Sequence, residues 1–173
     1  MVKPVTEDRN IKKSTFKLKS LLLAGLATML ACAVIFYLSS PAQKAEASIS
    51  LLPDDLSVIK IGKSIYAKNC ASCHGVALEG QANWKQRDTE GYMPAPPHDM
   101  TGHTWHHADS YLFLMTKYGI EEMIGKKYPN SMPAYENVLT DDEIIAVLSY
   151  IKSTWPSLIQ RQHNQINARV NAQ

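Results

Sequence analysis

Cysteine is scarce in this chain. Of 173 residues three are cysteine: two stand three positions apart, at 70 and 73, and the third lies at 32 inside an apolar run. A four-ligand zinc ribbon needs a second ligand pair, and Cys32 does not supply one. The strand–helix alternation that would frame a thioredoxin-type redox pair is missing around Cys70. Aromatic residues make up only 8% of the chain, and no basic stripe interleaves with them beyond the N-terminal segment, which argues against a nucleic-acid interface. Internal repeats, low-complexity tracts and any constellation of nucleophile and general base are also missing. What is present is an ordinary globular composition, 45% hydrophobic and 20% charged. The length suits one compact domain with extensions.

Charge and hydropathy divide the chain. Residues 1–47 hold seven Lys/Arg against three Asp/Glu, whereas residues 48–173 hold eleven against thirteen. The formal net charge of +2 therefore belongs to the N-terminal segment. Ser20 to Ser40 is a run of 21 residues without a charge; as a helix it would reach about 31 Å, close to the hydrocarbon thickness of a bilayer. Lys3, Arg9, Lys12, Lys13, Lys17 and Lys19 precede it. The positive-inside rule then leaves residues 1–19 as a cytoplasmic basic segment and sends everything after Ser40 outside. Residues 20–40 are accordingly expected to be a transmembrane anchor. A cleaved signal peptide is the alternative, because Ala45-Glu46-Ala47 fits an A-x-A site. Cys32 is read as a small lipid-facing or buried thiol. Residues 41–53 read as a linker, 54–156 as the compact domain and 157–173 as a polar C-terminal tail, either solvated or a frayed helix.

Within 54–156 the periodicity is helical and the expected class is all-α. Val58, Ile61, Gly62, Ile65 and Tyr66 recur on one face of a helix running from about Leu56 to Asn69. Gly62 on that face lowers helix propensity by about 1 kcal/mol relative to Ala, and close approach of another helix would explain it. Pro94, Pro96 and Pro97 exclude a helix in the stretch from Gly75 to Gly102. A second helix is expected after Asp109, capped by Asp109 or Ser110, with Leu112, Met115 and Tyr118 or Gly119 on one side. Thr140-Asp141-Asp142-Glu143 is a capping box with acidic residues at the positive end of the helix dipole. It opens a last helix with an apolar stripe of Ile144, Val147, Leu148, Ile151 and Trp155, stopped by Pro156.

The first of these helices runs into Cys70-Ala71-Ser72-Cys73-His74. Cys-x-x-Cys-His is the covalent attachment signature of a c-type haem. Each thiol adds across one porphyrin vinyl group, and the adjacent histidine ligates the iron. The expected cofactor is one haem c, bound through Cys70 and Cys73, with His74 as a metal ligand. An electron carrier also needs a sixth ligand from the opposite face. The candidates in the folded part are Met93, Met100, Met115, Met123 and Met132. Met132 is preferred, because Tyr128-Pro129-Asn130-Ser131-Met132-Pro133 is a proline-stiffened loop that presents the sulfur with little ordering entropy to lose.

From Val58 to Pro156 the chain resembles the class I, bacterial-type monohaem cytochromes c. The resemblance rests on Gly62 and Tyr66 ahead of Cys70-Ala71-Ser72-Cys73-His74-Gly75, on Met132-Pro133-Ala134-Tyr135, on Leu139-Thr140-Asp141-Asp142-Glu143-Ile144, and on Tyr150-Ile151-Lys152-Ser153-Thr154-Trp155-Pro156. It implies a small all-α fold around one covalent haem, with first and last helices crossing near Gly62 and Tyr150. It also implies axial ligation by His74 and Met132, and a proline carbonyl, that of Pro96 or Pro97, accepting a hydrogen bond from the histidine ring. Trp84, Arg87 and Trp105 are candidate partners for haem propionates. His98, His103, His106 and His107 crowd into ten residues with Met100; they are expected as polar loop residues, with a second metal site or a replacement for Met132 as the alternatives.

The functional expectation is an electron carrier, not an enzyme: a cytochrome c tethered to the bacterial inner membrane by a single span, its haem domain in the periplasm, passing one electron between respiratory redox partners. Lys126 and Lys127 are candidates to steer an acidic partner. The alternatives are a haem c subunit of a larger membrane oxidoreductase and a haem sensor or metal-handling protein.

Overall fold

The computed structural model describes residues 49–172. The expected basic segment, the expected anchor at 20–40 and Ala47 lie outside the described residues. Among the described residues, no helix is long and apolar enough to cross a membrane and there is no strand. The described residues hold six α-helices, in order α1 Leu56–Asn69, α2 Ala71–His74, α3 Asp109–Tyr118, α4 Ile120–Ile124, α5 Asp141–Ser153 and α6 Ser157–Val170, with a 3-10 turn at Thr104–His106.

The α1 helix starts where Asp55 caps it, its carboxylate accepting the N–H groups of Ser57 and Val58. Its buried residues are Gly62, Ile65 and Tyr66. Ile61, expected on the same face, is 54% exposed. It lies about 100° round the helix from Gly62, and the stripe that α5 covers is too narrow to include it. That narrowness has a cause at Gly62: a Cβ there would lie 1.9 Å from the Ala146 carbonyl oxygen and 2.9 Å from the Tyr150 Cβ. The α1 and α5 backbones are in direct contact, and Tyr66 tilts onto Tyr150 with ring centroids 5.6 Å apart.

The expected capping box opens α5, with Thr140 and Glu143 bonded reciprocally. Ile144, Val147, Leu148 and Ile151 are buried as the stripe requires, and Trp155 is buried just beyond the helix end. Full burial of each aliphatic side chain contributes about 1.5–3 kcal/mol. Ala146, Ser149 and Lys152 are buried too, so α5 is enclosed on more than its apolar face.

Four expectations are corrected by the packing. In α3 the buried side chains are Leu112, Phe113 and Thr116, while Tyr118 is exposed. Asp109 does not cap the helix through its side chain; its carboxylate turns inward instead. The compact body is also wider than 54–156. Leu51, expected in the linker, is buried, and its N–H donates to Asp109 Oδ2 at 2.9 Å. The expected polar tail is α6, held by the buried side chains of Ile159 and His163. Its repeat of polar residues hid a docking face of only a few positions.

That docking face meets a buried charge cluster. Lys152 Nζ and His163 Nε2 each lie 3.5 Å from Asp109 Oδ1, with all three side chains at most 5% exposed. His163 Nε2–H donates to the His107 carbonyl at 2.8 Å, and the Asp109 N–H donates to Asn167 Oδ1 at 2.8 Å. His163 Nδ1 is buried without a partner. Burial, then the nearby Lys152 ammonium, hold the His163 pKa below its usual 6.5.

Gly62→Ala should destabilise the protein by about 3 kcal/mol or more through overpacking, whereas Ser64→Ala on the exposed face should stay within about 0.5 kcal/mol; denaturant unfolding of the holoprotein measures both. The His163 shift sets a pH dependence. Because its folded pKa lies below the unfolded one, the unfolded chain takes up the proton first as pH falls. Stability from this site is full above pH 6.5 and declines as pH drops below that value. His163→Gln keeps a donor for the His107 carbonyl and cannot titrate, so a plot of unfolding midpoint against pH should lose this group's share of its acid slope.

Candidate haem-binding site

The attachment residues sit where α1 gives way to α2. Cys70 lies between the two helices, its N–H donating to the Tyr66 carbonyl at 2.9 Å, and the one-turn α2 carries Cys73 and His74. The two thiols are free. Cys70 packs against the core and burial pushes its thiol up to about 11; Cys73 is exposed. Gly75 ends the turn at φ 82°, a conformation that favours glycine, and its carbonyl accepts from the Tyr66 hydroxyl at 2.8 Å.

His74 is 8% exposed. Its Nδ1 lies 2.8 Å from the Pro96 carbonyl oxygen. A carbonyl can only accept, so Nδ1 carries the proton and Nε2 keeps its lone pair for a metal. Burial lowers the His74 pKa, against the opposing effect of the Pro96 bond, and so favours this neutral form. The structure thus selects Pro96 over Pro97. The segment holding Pro96 is clamped to the residues just after His74. Gly80 N–H donates to the His74 carbonyl, Gln81 N–H to the Ala95 carbonyl and His98 N–H to the Leu78 carbonyl, each at 2.8 Å. A Cβ on Gly80 would lie 2.4 Å from Pro97 N and 2.6 Å from Pro96 C, so the clamp closes only on a glycine.

Met132 lies in the expected loop, partly buried against the core. Its N–H donates to Asn130 Oδ1 at 3.0 Å. The loop is tied at its far end by Tyr135, whose N–H reaches the Thr116 and Lys117 carbonyls at 3.1 Å and whose hydroxyl donates to the Asn69 carbonyl at 2.7 Å. Asn69 immediately precedes Cys70, so the Met132 loop and the attachment motif are joined by one hydrogen bond. Burial pushes the Tyr135 phenol up to about 12 and raises that of Tyr66 as well. Both remain protonated donors.

The remaining candidates divide. Trp105 Nε1–H donates to the Met100 carbonyl at 3.3 Å. Arg87 reaches the Gly91 carbonyl at 2.6 Å and lies over the Tyr128 ring. Trp84 stacks on His103, with ring centroids 5.5 Å apart. The four clustered histidines do not form one site: among the described residues no group of three or more His, Cys, Asp or Glu side chains could hold a metal. His98 instead stacks on His74 at 3.9 Å. It therefore lies on the His74 side of the site and cannot ligate the iron from the opposite face. The sequence did not single out His98, because its nearness to the His74 ring follows only once the geometry has chosen Pro96 over Pro97. Tyr135 stands in the Met132-Pro133-Ala134-Tyr135 motif, but nothing in that local pattern announced its bond to Asn69, or the buried charge cluster.

Two free thiols at attachment spacing, with the adjacent His74 imidazole bonded through Nδ1 and accepting no hydrogen bond at Nε2 among the described residues, fit a covalently attached iron porphyrin; the site is that of a c-type haem protein. The cytochrome c family matches residues 59–155, more than half of the chain, and the chain belongs to that family. No curated protein and no solved structure matches it at a significant level. Membership implies covalently bound haem c, electron transfer as the function and redox proteins as partners. Members of the family are generally carriers of electrons and not enzymes.

Proposed function

We propose that this protein is a membrane-tethered periplasmic cytochrome c that carries one electron at a time between respiratory redox partners, with His74 and Met132 as its axial ligands. The observation that carries the reading is the His74–Pro96 hydrogen bond, which leaves the Nε2 lone pair free beside the two attachment thiols. Haem c, when bound, supplies a one-electron couple at iron. The chain's own residues do the rest. Pro96 fixes the imidazole, burial of His74 removes water from its ring, and the Tyr135–Asn69 bond holds the Met132 loop to the motif. A carrier benefits from such fixed ligands, because little then rearranges when the electron arrives. Lys126 and Lys127 are exposed on the approach to the Met132 loop and suit steering of an acidic partner. The uncharged run at residues 20–40 supports the tether, and the basic residues before it support the periplasmic side.

The oxidised protein should show the weak far-red charge-transfer band of sulfur-to-iron ligation, and the reduced protein should bind CO slowly or not at all. Met132→Ala should abolish the band and open the iron to CO. A band that survives in Met132→Ala overturns the ligand assignment, and rapid CO binding by the wild type favours a sensor. The full-length chain should stay with the membrane fraction after alkaline washing; release into the soluble fraction would favour a cleaved leader.

A further inference from the structure

The histidines between residues 98 and 107 turn to different surroundings. His106 stacks on Trp105 at 3.6 Å and His107 on Tyr111 at 4.7 Å, while His103 faces Trp84. His98 alone packs on the iron-binding histidine. Its ring lies 3.9 Å from that of His74, centroid to centroid, with the planes 21° apart.

The ring is fixed from several sides. Its Nδ1 is 2.8 Å from the buried Thr104 hydroxyl. Its backbone N–H donates to the Leu78 carbonyl, and its carbonyl accepts from Trp155 Nε1–H, both at 2.8 Å. The Tyr66 ring meets it edge-on at 6.3 Å.

These contacts complement the bond from His74 to Pro96. A hydrogen bond at one ring atom tolerates a broad range of ring-plane angles. A ring stacked at 3.9 Å narrows that range, because a large rotation of His74 about its Cβ–Cγ bond would drive one edge into His98. The plane of an axial imidazole decides which iron d orbital it overlaps, and hence how unpaired spin spreads over a ferric porphyrin.

We propose that His98 is a positioning residue for the haem iron: its ring, held by Thr104, sets the plane of the His74 imidazole. This rests on His74 being an axial ligand.

The test uses ferric holoprotein, with proton NMR of the hyperfine-shifted haem methyl groups, EPR g-values and the midpoint potential as readouts. His98→Leu removes the flat neighbour and should redistribute the methyl shifts and move the g-values. His98→Phe keeps a flat ring and should stay near the wild-type pattern. Thr104→Val releases the His98 ring and should move the pattern in the same sense as His98→Leu. An unchanged methyl pattern in His98→Leu overturns the proposal, as does an equal change in His98→Leu and His98→Phe. A lower melting temperature with an unaltered pattern shows a packing role alone and overturns it too. Should His98→Leu fail to retain haem, Thr104→Val decides by the same readouts. If the wild type itself shows no low-spin pattern, the axial-ligand reading has failed, and that result is distinct from any difference among the variants.

Discussion

At Gly62 the backbone of α1 lies against the Ala146 carbonyl of α5, with no room for even a methyl group between them. The helix that ends in the attachment motif is thereby seated on α5, which contributes more buried core residues than any other described helix. Tyr66, one turn further on, packs against Tyr150 and donates its hydroxyl to Gly75 just past His74. The position of both thiols and of the His74 imidazole follows from this crossing. A displacement of α1 along α5 would carry Cys70 away from Tyr135, and the bond from that tyrosine to the Asn69 carbonyl would be lost with it.

Around this crossing the chain holds His74 by short links at close range. Residues 78–81 pair with 95–98 through backbone hydrogen bonds, which delivers the Pro96 carbonyl to Nδ1 and the His98 ring to the imidazole face. Trp155, at the end of α5, reaches the same segment through the His98 carbonyl and sets its ring edge-on to His163 in α6. A contact path therefore joins the C-terminal helix to His74. The buried group of Asp109, Lys152 and His163 lies at that end of the molecule, and breaking such a group by removing one partner costs about 3–5 kcal/mol.

Much of this was legible in the amino-acid order because short-range physics dictates it. The Thr140–Glu143 capping box, the Pro156 stop, the stripe from Ile144 to Trp155 and the span of α1 are local patterns, and the structure repeats them. The attachment motif is local as well. The misreadings share one cause, which is long-range burial. Asp109 looked like a cap and instead faces Lys152 and His163, which lie more than forty residues away. The polar run after Pro156 looked solvated because its helix docks through only a few side chains. The histidines were read as polar loop residues, and sequence proximity does not reveal that His98 turns inward while the others stack on Trp84, Trp105 and Tyr111. Choosing Pro96 over Pro97 required the geometry of the 78–81 clamp.

The central claim is that one porphyrin is joined to this polypeptide through Cys70 and Cys73. Intact-mass spectrometry of the purified protein, unfolded in acidified organic solvent, tests it most directly. The account predicts a polypeptide heavier than the bare chain by one haem, with Cys70→Ala and Cys73→Ala together restoring the bare mass. A wild-type chain that appears at the bare mass, its pigment left in the solvent, would contradict it.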